Sequence, residues 1–558
     1  MIRALLLFAL CAPLFLYGLG GRPLWDIDEG MHSATSKVIV TSGDWIVPTH
    51  NGEPFRDKPI LHNWFVALAF LGLGFTELAA RLPAALLGLL TVVVTWFLGR
   101  SLLGARAALL SGAALATTML WMVMSRTVTH DISLAFFVTA SMALFWAAYR
   151  STERRGRCML LFHAAVGFAV LAKGPLGIVL PGLAIGAFLL SQRRPGFVKE
   201  MRLGLGALIV VAIAAPWYVA VSLADPGYAS GFFLRKNIGG FLSGGGSHVQ
   251  PFYYYGPGLL GGFLPWSFVL PVAAYHVARG AKRAASEVRE PAAAAFLLSW
   301  VGTGLVFFSA AAAKLITYIL PLFPGLALMV GWLFADLFAA GRARYRAGLA
   351  LGHAFAVAVA LAAACAVWIW PPPDLEAKYG LELSLLAPLA IFLLAFAALG
   401  AFAVARARPR TLFASYAALA VGVLGYFTLV VAPVVDDYRS MKGLLAKMEP
   451  LLAPGEGLAF FERIKESALF YSDRRCRALI QPEEVEQHLA AGERVFLFND
   501  QKNMHELAAL EGKAFPVYQE GEVVVLSNRP GRLFGYEGPI VGFEGVPWET
   551  GARREESP

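Results

Sequence analysis

The stretch Leu24-Trp25-Asp26-Ile27-Asp28-Glu29-Gly30 sets three carboxylates close together just after an apolar run that begins at Met1. Alone, it would read as a solvated turn. Its flanks decide otherwise. The opening run has roughly the 20-residue length of a bilayer-crossing helix. It lacks an A-x-A cleavage site and further spans follow, so it reads as an uncleaved first span. About 13 such apolar runs recur between Met1 and Val431. The 558-residue chain is 58% hydrophobic and only 15% charged, where soluble domains carry roughly 25%. The expected fold is an all-α polytopic membrane protein.

Orientation follows from the short basic loops. Arg100 and Arg106 share one loop, Arg150, Arg154, Arg155 and Arg157 the next, and Arg193, Arg194, Lys199 and Arg202 a third. Arg279 to Arg289, Arg342 to Arg346 and Arg406 to Arg410 continue the alternation. With the N-terminus cytoplasmic, every one of these clusters falls inside. The net charge of +9 is thus spent on topology and does not mark a nucleic-acid partner. The external loops are then 21–61 and 224–256, together with shorter turns, and "LWDIDEG" opens the first of them. Residues 1–433 form the expected membrane domain. Residues 434–558 turn polar, with helical spacing in "SMKGLLAKMEPLL" and "PEEVEQHLAAG" and strands at "GLAFF", "RVFLF" and "EVVVLS", which predicts a small external α/β domain. Cys11, Cys158, Cys365 and Cys476 present no disulfide framework and no C-x-x-C metal knuckle.

Ionisable residues gather at the outer ends of spans: Asp26, Asp28, Glu29, His32, Arg56, Asp57 and Lys58 in the first loop, Arg126, His130 and Asp131 in "SRTVTHD", Lys173 in "LAKGPLG", and Lys314 with Tyr318 in "AAAKLITY". Any one of them reads equally as an interfacial anchor that snorkels to water. As a set, on one side of a bundle poor in charge, they point to function, because charge at membrane depth is costly. Lysine and arginine suit a phosphate ester, and carboxylates suit activation of a hydroxyl or amine, or a divalent metal. Glycosyl transfer from a lipid phosphate uses both. No phosphate-binding G-x-x-x-x-G-K-[ST] loop is present, so no nucleotide cofactor is expected.

The opening "LWDIDEGMHSATSKVIVTSGDWIVPTHNGEPFRDKPILHNWF", followed in order by "SRTVTHD", "LAKGPLG", "APWY", "SHVQPFYYYGPGLLGGFLPW" and "KLITYILPLFPGLAL", resembles the bacterial GT-C glycosyltransferases that use polyprenyl-phosphate sugars. It is similar to the 4-amino-4-deoxy-L-arabinose lipid A transferase group and, more distantly, to protein O-mannosyltransferases. The resemblance implies an enzyme of the bacterial inner membrane. It would move a sugar, with inversion, from undecaprenyl phosphate to lipid A or another envelope glycolipid on the extracytoplasmic side. The same chemistry on a protein or polysaccharide acceptor is the alternative, and a lipid or solute transporter the rival from another class. The resemblance implies Asp28 as the acceptor-activating base, with Asp131 also catalytic. Lys58, Arg126, Lys173, Lys314 and Tyr318 are expected on the donor phosphate, with Asp26 and Glu29 in support; Glu29 reads equally as a cap on a helix starting near Gly30. Asp57 and His248 are the implied ligands of a divalent metal, zinc or magnesium, with a loop hydrogen bond as the other reading of His248. Met31 stands where relatives often carry arginine, which leaves the sugar open. "HSATSKVIVTSGDW" and "HNWFVALAFLGLG" are expected along the membrane interface, and the glycines of "GGFLSGGGSHVQ" to let that loop close over lipid.

Overall fold

The computed structural model describes residues 2–244, 248–282, 291–340, 345–369, 387–510 and 512–535. The expectations for Arg283, Arg289, Arg342, Arg344, the loop 371–382, the glycines 245–246 and the tail end 536–558 lie outside the described residues. Among those described, eight helices are long and apolar enough to cross a membrane, and five shorter apolar helices accompany them.

The helices that build the site are α1 (Ile2–Leu16), α2 (Asp28–Ser42), α3 (Leu61–Leu73), α4 (Glu77–Leu103), α5 (Ala105–Ala116), α6 (Met119–Met124), α7 (His130–Arg150) and α8 (Arg155–Lys173). α7 and α8 form a helical hairpin whose arms are nearly equal. The start of α7 and the end of α8 therefore meet at one end of the bundle. The span Ile316–Ala339 is the most enclosed, with 94% of its central window buried, and α7 packs against its first turns. Lipid tails are as apolar as leucine, so interlocking shape rather than water exclusion holds such a bundle together. Trp96, Trp121, Trp146, Trp266 and Trp300 are fully buried here. Trp266 is a packing residue: its indole donates to Thr117 Oγ1 at 3.1 Å.

The tail folds as a five-stranded sheet of β3 (Leu458–Phe461), β4 (Cys476–Leu479), β5 (Phe496–Asp500), β6 (Phe515–Glu520) and β7 (Val523–Ser527), after the small hairpin β1 (Thr49–His50) and β2 (Glu53–Pro54) of the first loop. The order is β4-β3-β5-β7-β6. The first three strands are parallel and β7 runs antiparallel to both of its neighbours. The helices Lys442–Met448 and Pro482–Leu489 fall within the predicted segments. The second starts with a capping box between Gln481 and Glu484.

The tail sits directly on the first loop. α2, expected as an amphipathic interfacial helix, is instead covered on its polar side by protein. Its Glu29, His32, Ser33, Thr35, Ser36 and Lys37 are buried, and the tail helix Glu466–Ser472 packs against it. Small residues permit this approach: a Cβ added at Gly30 would lie 2.4 Å from the Ser467 nitrogen. Asp26 accepts from the Ser467 N–H at 2.5 Å, and Lys37 donates to the Phe470 carbonyl at 2.8 Å. His50 meets Glu466 at 2.7 Å. Asn51 exchanges hydrogen bonds with the Cys476 backbone at 2.7 and 3.0 Å.

Candidate active site

The α7–α8 hairpin supplies the first half of the site. Thr129 caps α7, its side chain accepting from the Asp131 N–H, so Asp131 lies in the first turn of α7 and Lys173 in the last turn of α8. Each charge suits its helix end, and the two side chains form an ion pair. The Lys173 ammonium also lies 4.5 Å from the centre of the Tyr318 ring. Thr317 donates to Asp131 from the Ile316–Ala339 span.

The external loops supply the second half. Asp57 binds the Lys58 ammonium at 2.7 Å through one oxygen and pairs with Lys236 through the other. Burial opposes ionisation of Asp57, but Lys58 and Lys236 outweigh it and hold the carboxyl well below the usual range. Burial likewise disfavours the Lys58 charge, while Asp57 more than restores it. One carboxylate thus holds two ammonium groups and leaves one positive charge in excess. Lys236 is brought here by Arg56, which clamps Asp225 with two bonds of 2.6 Å and ties loop 21–61 to loop 224–256. Asp28, the exposed first residue of α2, lies close enough to this group for its charges to act on the carboxyl. Desolvation by the surrounding protein, then repulsion from Asp131, raises its carboxyl, while Lys58 and Lys173 pull it back. No hydrogen bond or ion pair holds the Asp28 carboxylate among the described residues.

The expected residues divide accordingly. Asp28, Asp57, Lys58, Asp131, Lys173 and Tyr318 come together. Four others, Lys314, Arg126, Glu29 and Asp26, make their contacts elsewhere. Lys314 is buried and donates to the Gln250 carbonyl at 2.8 Å and to the Ala311 carbonyl, so it ties together the loop that carries the Val249–Ala313 bridge. Arg126 donates to the Leu14 and Tyr17 carbonyls at 3.0 and 2.8 Å, at the end of α1. Glu29 neither caps α2, which starts at Asp28, nor joins the cluster: it is clamped by Arg81 through two bonds of 2.8 Å. Asp26 supports the tail rather than the cluster. Asp131, with its charge matched by Lys173, holds that lysine in place and leaves Asp28 as the free carboxylate.

Sequence reasoning missed Lys236, Thr317 and His62, and named His32 and His130 without the buried group that the three histidines form. His32 and His130 have ring centres 4.4 Å apart, and His62 and His130 5.1 Å. His62 bonds Ser133 at 2.9 Å. Burial, with help from Lys58, pushes His32 down to about 3, so it is neutral at physiological pH. His32 lies one helical turn from Asp28 and His130 directly precedes Asp131. That spacing was the available signal.

Both Asp57 oxygens are taken by lysines, and among the described residues no three His, Cys, Asp or Glu side chains gather closely enough to hold an ion. His248, the other expected metal ligand, is exposed, and its carbonyl accepts from the Lys314 N–H at 2.9 Å.

Comparison with known proteins identifies the fold. Residues 57–219 match the family described as dolichyl-phosphate-mannose-protein mannosyltransferase. ArnT from Cupriavidus metallidurans bound to undecaprenyl phosphate superposes with a TM-score of 0.75 at 24% identity, covering 94% of this chain and 98% of that one. Its apo form gives 0.74. The fold is that of ArnT. The chain is accordingly a multi-pass membrane protein whose polar tail corresponds to part of that fold. Among curated relatives, the undecaprenyl phosphate-alpha-4-amino-4-deoxy-L-arabinose arabinosyl transferase of Aeromonas salmonicida is 33% identical over 335 residues, and that of Erwinia tasmaniensis 31% over 358 residues. These alignments span 59% and 63% of the relatives' length, and the same shares of this chain.

Proposed function

We propose that this chain is an inner-membrane glycosyltransferase that takes its sugar from a polyprenyl phosphate. The observation that carries this reading is the ammonium pair Lys58–Lys236 on Asp57, set beside an unpartnered Asp28 at one end of the bundle. Two ammonium groups sharing one carboxylate have charge and donors left for a phosphate, and Lys binds phosphate as a point charge. The ArnT structure with undecaprenyl phosphate and the names of the curated relatives support the same donor class. The basic loops set the N-terminus and the opposite end of the bundle in the cytoplasm. The ion cluster and the tail then face the extracytoplasmic side.

The reaction follows from the groups present. Asp28, ionised, takes the proton of the acceptor hydroxyl. The acceptor oxygen bonds to the anomeric carbon from the side opposite the phosphate. The bond from that carbon to the phosphate oxygen breaks, and its electron pair leaves with the polyprenyl phosphate. Lys58 and Lys236 stabilise the charge that grows there. Lys173, held by Asp131 against Tyr318, keeps the far wall in place. Attack and departure on opposite faces invert the anomeric centre. The proposed acceptor is lipid A or a related envelope glycolipid.

The test is a transfer assay with purified protein, polyprenyl-phosphate sugar and an acceptor lipid. Wild type releases polyprenyl phosphate in step with acceptor modification, and Asp28→Asn, still folded, does not. Turnover of Asp28→Asn within a factor of two of wild type would remove Asp28 as the base.

A further inference from the structure

A cavity of about 100 Å³, mostly apolar but edged by charged side chains, lies beside the α2 start. Arg22, Trp25, Glu29, Arg81, Arg126 and Phe427 line it. It is separate from the Lys58–Lys236 pair, but Glu29 directly follows Asp28 in the chain. Successive residues on a helix point about 100° apart, so Asp28 and Glu29 face different sides of one helical turn.

The charges around this cavity are unevenly matched. Arg81 and Glu29 satisfy each other completely: the remaining Arg81 donors go to the Leu19, Arg22 and Pro23 carbonyls at 2.7 to 3.0 Å. Arg22 pairs with Asp436 at 2.8 Å and lies 4.6 Å from the centre of the Trp25 ring. Trp25 donates to the same carboxylate at 2.8 Å. Arg126 has no carboxylate partner among the described residues. Two carbonyls take two of its five N–H donors, and the rest are unspent. Burial, then repulsion from Arg81 and Arg22, works against its charge. A half-buried guanidinium at the rim of a membrane bundle, facing a cavity and surplus in charge, lacks an anion. A guanidinium fork with free donors matches a phosphate in shape as well as charge, and the Trp25 and Phe427 rings give the attached lipid an apolar wall.

We propose that this cavity binds the phosphate group of a membrane lipid, with Arg126 as its counter-charge. The proposal rests on the transferase reading only for its purpose: a phosphate-bearing acceptor held here has its sugar part beside the Asp28 turn, while the donor phosphate occupies the lysine pair. Donor and acceptor would then be gripped by different cations.

The test uses full-length protein in nanodiscs of neutral lipid, titrated with diphosphorylated lipid A, its dephosphorylated form and undecaprenyl phosphate, with bound lipid counted by native mass spectrometry. Wild type is expected to prefer the diphosphorylated form by about tenfold, the effect of one charged hydrogen-bonding group. Arg126→Gln should lose that preference, Arg126→Lys should recover part of it, and undecaprenyl phosphate binding should stay within a factor of two in both. Preference retained in Arg126→Gln overturns the site. Competition by phosphatidylglycerol vesicles decides the source: displacement identifies a general membrane phospholipid at the site, and no displacement identifies the acceptor. If wild type fails to take up undecaprenyl phosphate, the donor reading fails, while the Arg126 result still judges this cavity.

Discussion

Glu29 and Asp28 are neighbours in sequence and opposites in environment. Glu29 accepts both prongs of Arg81 as well as the Trp25 and Val128 N–H groups. Every valence of the pair is filled, and 6% of Glu29 remains exposed. Asp28 has no such partner among the described residues and lies exposed within the influence of Lys58 and Lys173. A buried charge with all its bonds spent is part of the frame, because any ligand would have to break that frame to use it. A charge raised in energy by burial and a like-charged neighbour, with its bonds unspent, is where chemistry can act.

The comparison can be broken in several ways. Asp28→Asn should cut transfer by about 10²–10⁴-fold, the usual worth of a general base, while the thermal midpoint holds or rises, since a strained charge is gone; a fall in midpoint matching the lost activity would make Asp28 structural. Arg81→Leu should do the reverse. It strands Glu29 and should cost about 3–5 kcal/mol, read as a lower thermal midpoint and yield, and the Glu29→Gln/Arg81→Leu double variant should recover part of it. An unchanged midpoint in Arg81→Leu would mean that the pair does not hold the loop. Lys236→Ala leaves Asp57 with one ammonium and should raise the donor KM about tenfold with the acceptor KM unchanged; equal effects on both substrates would take Lys236 off the phosphate.

The smallest expected effect is in pH. Asp28 works only when ionised, and its raised carboxyl sets the acid limb of kcat/KM above the ordinary aspartate value of about 3.9. Asp131→Asn removes the like charge, so that limb should move to lower pH in whatever activity remains. Stability carries the opposite sign to the usual acid: the folded chain keeps a proton that the unfolded chain releases. Stability is therefore lost as pH rises from the ordinary value through the raised one. Asp28→Asn should flatten that slope.

Much of this was legible in the sequence, for identifiable reasons. Span number and basic-loop alternation are bulk properties of composition, and β3, β5 and β7 are dense apolar runs. β4, with Arg477 in its middle, and β6, which carries Pro516, lack that signature. Asp28, Lys58, Asp131 and Lys173 stood out as charges at span ends. So did Lys314, since sequence does not distinguish an ammonium bound to carbonyls from one awaiting phosphate. Lys236 looked like any loop lysine; it reaches Asp57 because Arg56 and Asp225, 169 positions apart, tie two loops together. α2 read as an interfacial helix because nothing local shows that a tail more than 400 residues later covers it.

The most direct test of the central claim is native mass spectrometry of gently purified protein, wild type beside Lys58→Ala. Wild type should carry a co-purified polyprenyl phosphate, with or without its sugar, and Lys58→Ala should have lost most of it at equal thermal stability. Equal polyprenyl phosphate on both proteins, or only bulk phospholipid on wild type even after polyprenyl phosphate is added, would contradict the assignment of the lysine pair to the donor.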